Sequence, residues 1–361
     1  MELNLKTTYC YWLFIFALSS ICTVWYGSLP YLTFMGDDLN LIVKAQDGGY
    51  ASSIAKAFTM VDAEKYRPVM ALFYCIEIKL LGNNFINYIC VNIVIQCINT
   101  ALLAYVCWIL SNNNYLILIV AGLTAIVSRF AYYNVLQVWG AMEGLGILFL
   151  LLLVINVVRA MQYGRVSNIL WANAWFMILI FTAERFLVAG LFLLFAAFMV
   201  NPNYISRIQR TYLATIPMLI IAFNYFIKKK VLDVNFLVGT GGTHIKFEFV
   251  KFVSFVGSAI ANLFGFNVGP DYLSGLNVMD TWIPGVLFGV GVTVVILSIF
   301  YYGFKSFRFG NVENSQNKIL ILLLLLLFSL IAAASITIRQ EFRWLYSPYM
   351  VFLNGVEFNL F

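Results

Sequence analysis

Asp37 and Asp38 stand side by side in "TFMGDDLNLI", and carboxylates so placed can take a proton from a hydroxyl or hold a divalent cation. Arg67 follows in "KYRPV". Glu143 lies in "VLQVWGAMEGLGILF", and Glu184 with Arg185 in "FTAERFLVAG". Further positive charge is concentrated in the run Lys228, Lys229 and Lys230 and in "IRQEFRWLYSPYMVF", which carries Arg339 and Arg343. A guanidinium grips two phosphate oxygens at once, whereas an ammonium acts as a point charge. Each group also has a plainer role. The acidic pair can be a solvated loop start, Glu143, Glu184 and Arg185 structural ion pairs, and Arg339 and Arg343 interface anchors beside Trp and Tyr. The single histidine, His244, follows "VGTGGT", which lacks the G-K-[ST] ending of a phosphate-binding loop. A flexible outer loop is expected there, and no metal site.

The elements that carry these groups are apolar. Of 361 residues, 62% are hydrophobic and 11% charged, against about 25% charged in soluble domains. Continuous apolar runs long enough to cross a bilayer recur along the chain, so an all-α polytopic membrane protein is expected rather than a barrel. Hydropathy places about ten spans in a single transmembrane domain, 1–361. They lie near 9–29, 84–110, 115–131, 141–160, 168–183, 185–200, 211–227, 283–303, 319–338 and 345–361. The first run is too long for a signal-peptide core and lacks an A-x-A site, so it reads as a retained helix. Two segments richer in charge, Gly and Pro, 30–83 and 228–282, break the rhythm. With the N-terminus inside, both face outward, and Arg159, Arg165, Arg207, Arg210, Lys305, Arg308 and Lys318 fall inside, as the positive-inside rule asks. Lys228 to Lys230, Arg339 and Arg343 fall outside against that rule. Within 246–264, Lys251, Ser254, Ser258 and Asn262 recur at helical steps, the pattern of a helix lying in the membrane interface. Six cysteines lie mostly inside apolar runs and form no C-x-x-C pair, so neither a disulfide nor a metal site is inferred.

In this order the pieces resemble the GT-C class of integral-membrane glycosyltransferases, which take sugars from polyprenyl-phosphate carriers. The resemblance rests on the acidic pair Asp37 and Asp38 after the first helix and on "YRPV" leading into a short helix and "LLGNNFINYICVNIVIQCINTALLAYV". It continues with Glu143 opening the fourth helix, Glu184 at a tight outer turn, and "RWLYSP" on the C-terminal side. The lysine that often precedes the tight-turn acid in that class is replaced here by Ala183, with Arg185 on the other side.

The resemblance implies a GT-C-like bundle with two outward-facing loop segments and an inverting transfer, in which Asp37, or Asp38 in its place, is the general base. Arg67, Arg339, Arg343 and Lys228 to Lys230 are implied as the surface that receives the donor phosphate, with Glu143, Glu184 and Arg185 as a further polar site. The donor is then a polyprenyl-phosphate-linked sugar, and the acceptor a surface glycan such as O-antigen, or a lipid-linked glycan. The setting is a bacterial inner membrane with the active site facing the periplasm, membrane lipids as neighbours and no nucleic acid as partner. No cofactor is expected, beyond a divalent cation that the acidic pair could hold. An O-antigen polymerase is the nearest enzymatic rival, and a lipid-glycan flippase or transporter the non-enzymatic one. The transporter should show internal repeats and interrupted helices at the midplane, and no convincing repeat is visible.

Overall fold

The computed structural model describes residues 57–59, 61–62, 65–110, 130–200, 205–238, 247–263, 315–336 and 342–360. A two-residue antiparallel ladder, β1 (Val61–Asp62) on β2 (Lys65–Tyr66), leads into α1 (Pro68–Leu81). Among the described residues everything else regular is helical: α2 (Phe85–Leu110), α3 (Ala131–Leu136), α4 (Gly140–Tyr163) and α5 (Val166–Thr182), then a 3-10 turn (Glu184–Val188) running into α6 (Ala189–Met199). After these come α7 (Arg207–Phe226), α8 (Phe249–Leu263), α9 (Ser315–Ser335) and α10 (Phe342–Leu360).

Local chemistry sets the ends. Pro68 opens α1, where its missing N–H costs nothing. Gly164 closes α4 in the left-handed conformation (φ 65°), its N–H bonding the Ala160 carbonyl at 2.9 Å. Ser206 and Gln209 form a reciprocal capping box at the start of α7.

Among the described residues, four helices are long and apolar enough to cross a membrane: α2, α4, α7 with its continuation to Val231, and α9 from Lys318. They match the expected runs 84–110, 141–160, 211–227 and 319–338. The α4 span is 78% buried and the α7 span 22%, so α4 is the axis of the bundle and α7 its flank. A helix apolar all round belongs inside, and α4 accordingly packs on α2, α3 and α5 with Ile147, Leu150, Leu151 and Val154 sealed.

Elsewhere the expected spans differ. The run 185–200 is a 3-10 turn and an eleven-residue helix, too short to cross alone. The run 168–183 is the seventeen-residue α5, and 345–361 falls in α10. The expected spans 9–29 and 283–303 and most of 115–131 lie outside the described residues. The helix expected within 246–264 is α8, with Phe249, Val250 and Val253 exposed and Phe255, Ala259 and Asn262 buried. Its polar steps do not share one wet face, because Asn262 turns inward and bonds the Ser258 carbonyl at 2.8 Å.

Candidate functional site

Glu143 sits in the first turn of α4, where the helix dipole favours a carboxylate. The turn before it is fixed from two sides. The Tyr74 hydroxyl of α1 donates to the Val138 carbonyl at 3.4 Å, and its ring meets Trp139 edge to face. Asn92 of α2 donates its side-chain N–H groups to the carbonyls of Val135 (3.3 Å) and Gln137 (2.8 Å).

Glu184 and Arg185 sit on the 3-10 turn between α5 and α6. The Arg185 guanidinium pairs with Glu143 and lies 4.8 Å from the Phe186 ring centre. That ring is pressed onto Gly146: a Cβ there would stand 2.5 Å from Phe186 Cε2. Only glycine at 146 lets the turn approach α4 this closely, which is what brings Arg185 to Glu143.

Lys228 supplies the next charge. Past Phe226, α7 winds on as a π-helical turn (Ile227–Val231), and the chain doubles back through Asp233, a non-glycine residue at φ 50°. The Lys228 ammonium, fully buried, pairs with Glu184 and donates to the Phe236 carbonyl at 3.0 Å. Such π-turns are frequent at functional sites, because they re-aim a side chain at the end of a helix.

Arg67 closes the group. Its Nη1 lies 3.1 Å from the Met142 sulfur, beside Glu143, and its charge is near enough to act on Lys228. An aromatic chain holds it there: Tyr66 packs edge to face on Phe181 at 6.0 Å, and Phe181 on Phe223 of α7. Arg67, Glu143, Glu184, Arg185 and Lys228 thus gather from four parts of the chain at one set of helix ends. Among the described residues, three cations and two carboxylates meet there, all little exposed.

The three adjacent lysines do not share one face. They were expected to form a surface with the outer segment beginning at 228, yet the helix runs on to Val231 and Lys228 is sunk into the bundle. Successive helical residues point about 100° apart, so burying one turns the others away. Lys229 donates to Asn235 Oδ1 at 3.2 Å, and Lys230 is exposed. Arg343 is placed in the first turn of α10 by its backbone alone. Asp37, Asp38, His244 and Arg339 lie outside the described residues.

Two features went unnoticed in the sequence. Glu77 on α1, outside the four long apolar helices, is buried with both carboxylate oxygens unbonded among the described residues. Burial pushes its carboxyl up to about 8. The second is a line of amides on α2. Asn92 and Asn99 occur at i and i+7 with Gln96 between them, and all three are buried. No grouping of His, Cys, Asp and Glu that could hold a metal ion occurs among the described residues. Comparison with protein-family models, with curated proteins and with solved structures finds no match to this chain.

Proposed function

We propose that the chain is an inverting glycosyltransferase of the GT-C type. In this reading a bundle of about ten spans moves a sugar from a polyprenyl-phosphate carrier to a surface-glycan or lipid-linked acceptor. The transfer takes place at the periplasmic face of a bacterial inner membrane. The observation that carries it is the convergence of Arg67, Glu143, Glu184, Arg185 and Lys228 at one set of helix ends. Ionisable groups inside an apolar bundle are costly and are kept where they do work.

The chemistry gives each group a part. The acceptor hydroxyl oxygen bonds the anomeric carbon as the bond from that carbon to the phosphate oxygen breaks, and the hydroxyl proton passes to Asp37 or Asp38. The donor phosphodiester carries one negative charge, and the departing phosphate monoester approaches two. Guanidinium donors directed at the phosphate therefore favour the departing group over the bound donor. Arg67 and Arg185 are the cations suited to face it, because each guanidinium offers a fork of donors. Lys228 stands behind them and orients Glu184.

The test is binding of synthetic short-chain polyprenyl phosphate to the purified protein in detergent. Affinity should fall on Arg185→Ala and Arg67→Ala and stay unchanged on Lys230→Ala. Equal affinity in all four proteins contradicts the reading.

A further inference from the structure

On α2 the amide side chains use only half of their hydrogen-bonding capacity. The N–H groups of Asn92 are taken by the backbone carbonyls of Val135 and Gln137, and Asn99 donates to the Gly144 carbonyl at 2.8 Å. A carbonyl cannot donate, so these contacts fix which end of each amide is nitrogen. The oxygens, Asn92 Oδ1 and Asn99 Oδ1, accept nothing among the described residues, and neither does Gln96 Oε1, whose amide donates to the Tyr346 hydroxyl of α10. On α3, Asn134 has neither its Oδ1 nor its Nδ2 bonded among the described residues. All four side chains are at least nine-tenths buried. Polar glue between membrane helices normally satisfies both ends of an amide. In Asn92, Gln96 and Asn99 the N–H end is used and the oxygen is not.

The open atoms narrow what could satisfy them. A line of carbonyl oxygens repels phosphate and carboxylate. An isoprenoid chain offers it no hydrogen. Positions 92 to 99 are about 10 Å apart along the helix axis, too far for one cation, whose oxygen ligands lie at about 2.3–2.6 Å. Hydroxyl groups remain, several on one small body, with Asn134 able both to donate to them and to accept from them. The line also starts beside the charged site, since Gly144, which Asn99 holds, adjoins Glu143.

We propose that the seam between α2, α3 and α10 is the sugar subsite, taking the hydroxyl groups of the transferred sugar when the seam parts around them. This rests on the glycosyltransferase reading above. In the closed arrangement described here the four amides are shut off from water, so the sugar replaces helix-to-helix contact rather than filling an open hole.

Asn134→Leu tests it, because no hydrogen bond among the described residues is lost in that change. If the seam is only packing, removing two buried unbonded polar atoms leaves the thermal midpoint level or higher and changes nothing else. If the seam holds the sugar, the midpoint still does not fall, but affinity for the sugar-bearing lipid does. The probes are short-chain polyprenyl-phosphate hexoses and the same lipid phosphate without sugar, in a polyoxyethylene detergent that itself carries no sugar. Against the wild-type protein, Asn134→Leu should bind at least one hexose-bearing lipid about tenfold more weakly. Its affinity for the bare lipid should not change. Asn134→Ala, which cannot clash, serves if Asn134→Leu does not accumulate. An Asn134 variant that binds every hexose-bearing lipid as tightly as the wild-type protein does overturns the subsite while leaving the charged site standing. A wild-type protein that binds neither lipid overturns the glycosyltransferase reading and the subsite with it.

Discussion

Lys228 is fully buried with its ammonium on the Glu184 carboxylate, forty-four residues earlier in the chain. Removing one partner of a buried pair strands the other's charge, at a cost of about 3–5 kcal/mol, whereas replacing both with neutral groups of similar shape is often neutral. Lys228→Met is therefore expected to lower the thermal midpoint sharply. Glu184→Gln together with Lys228→Met should recover most of it. Midpoints by differential scanning fluorimetry decide, and a double variant as unstable as Lys228→Met would show that the pairing is not what the lysine contributes.

Arg185 pairs with Glu143 and stacks on Phe186. Its planar fork can hold the carboxylate and a phosphate oxygen together, which an ammonium does poorly. Arg185→Lys should keep the fold and lower transfer on the order of a hundredfold, the usual cost of losing one preorganised donor. Unchanged transfer at an unchanged midpoint would reduce Arg185 to a structural ion pair.

Gly146 lies under the Phe186 ring with no space for a methyl group. The ring is itself fully buried, so it has little room to yield. Gly146→Ala should destabilise by about 1–3 kcal/mol and weaken transfer beyond that loss of fold, because Arg185 moves with its neighbour. Transfer per folded molecule equal to wild type would separate the glycine from the site.

Glu77 gives a pH signature. Its folded carboxyl titrates near 8, against 4.5 in the unfolded chain, so the folded state holds the proton more tightly. Its contribution to stability is fully present below pH 4.5 and is lost as pH rises toward 8, at up to about 1.4 kcal/mol per pH unit. Glu77→Gln should raise the midpoint at neutral pH and flatten its pH dependence between those values. A variant with the wild-type slope would rule out Glu77 as its source.

The long helices were legible because a bilayer demands long apolar runs. Glu143, Glu184 and Arg185 were legible because ionisable groups stand out within such runs. The partnership of Glu184 with Lys228 was not, since it depends on a π-helical turn and a reversal at Asp233 that no local pattern announces. Nor was the burial of one lysine among three, although helical geometry alone forbids Lys228, Lys229 and Lys230 from sharing a face. The 3-10 turn at 184–188 was taken into a span because its neighbours are apolar, with Glu184, Arg185 and Gly190 the signals against that. The amides of α2 had a readable signal in their spacing at 92, 96 and 99. They were overlooked because a long apolar helix tolerates a few polar residues.

Asp37 and Asp38 fall outside the described residues, and their role is the account's central claim. Asp37→Asn or Asp38→Asn keeps size and removes basicity, and loss of the general base costs about 10²–10⁴-fold. The most direct measurement is mass spectrometry of the surface glycan from cells producing the wild-type chain, the double variant Asp37→Asn/Asp38→Asn, or no chain. The account predicts glycan heavier by whole sugar residues with the wild-type chain alone, and unmodified glycan with the double variant at equal protein level. A glycan identical in all three, or equally modified by the double variant, would contradict it.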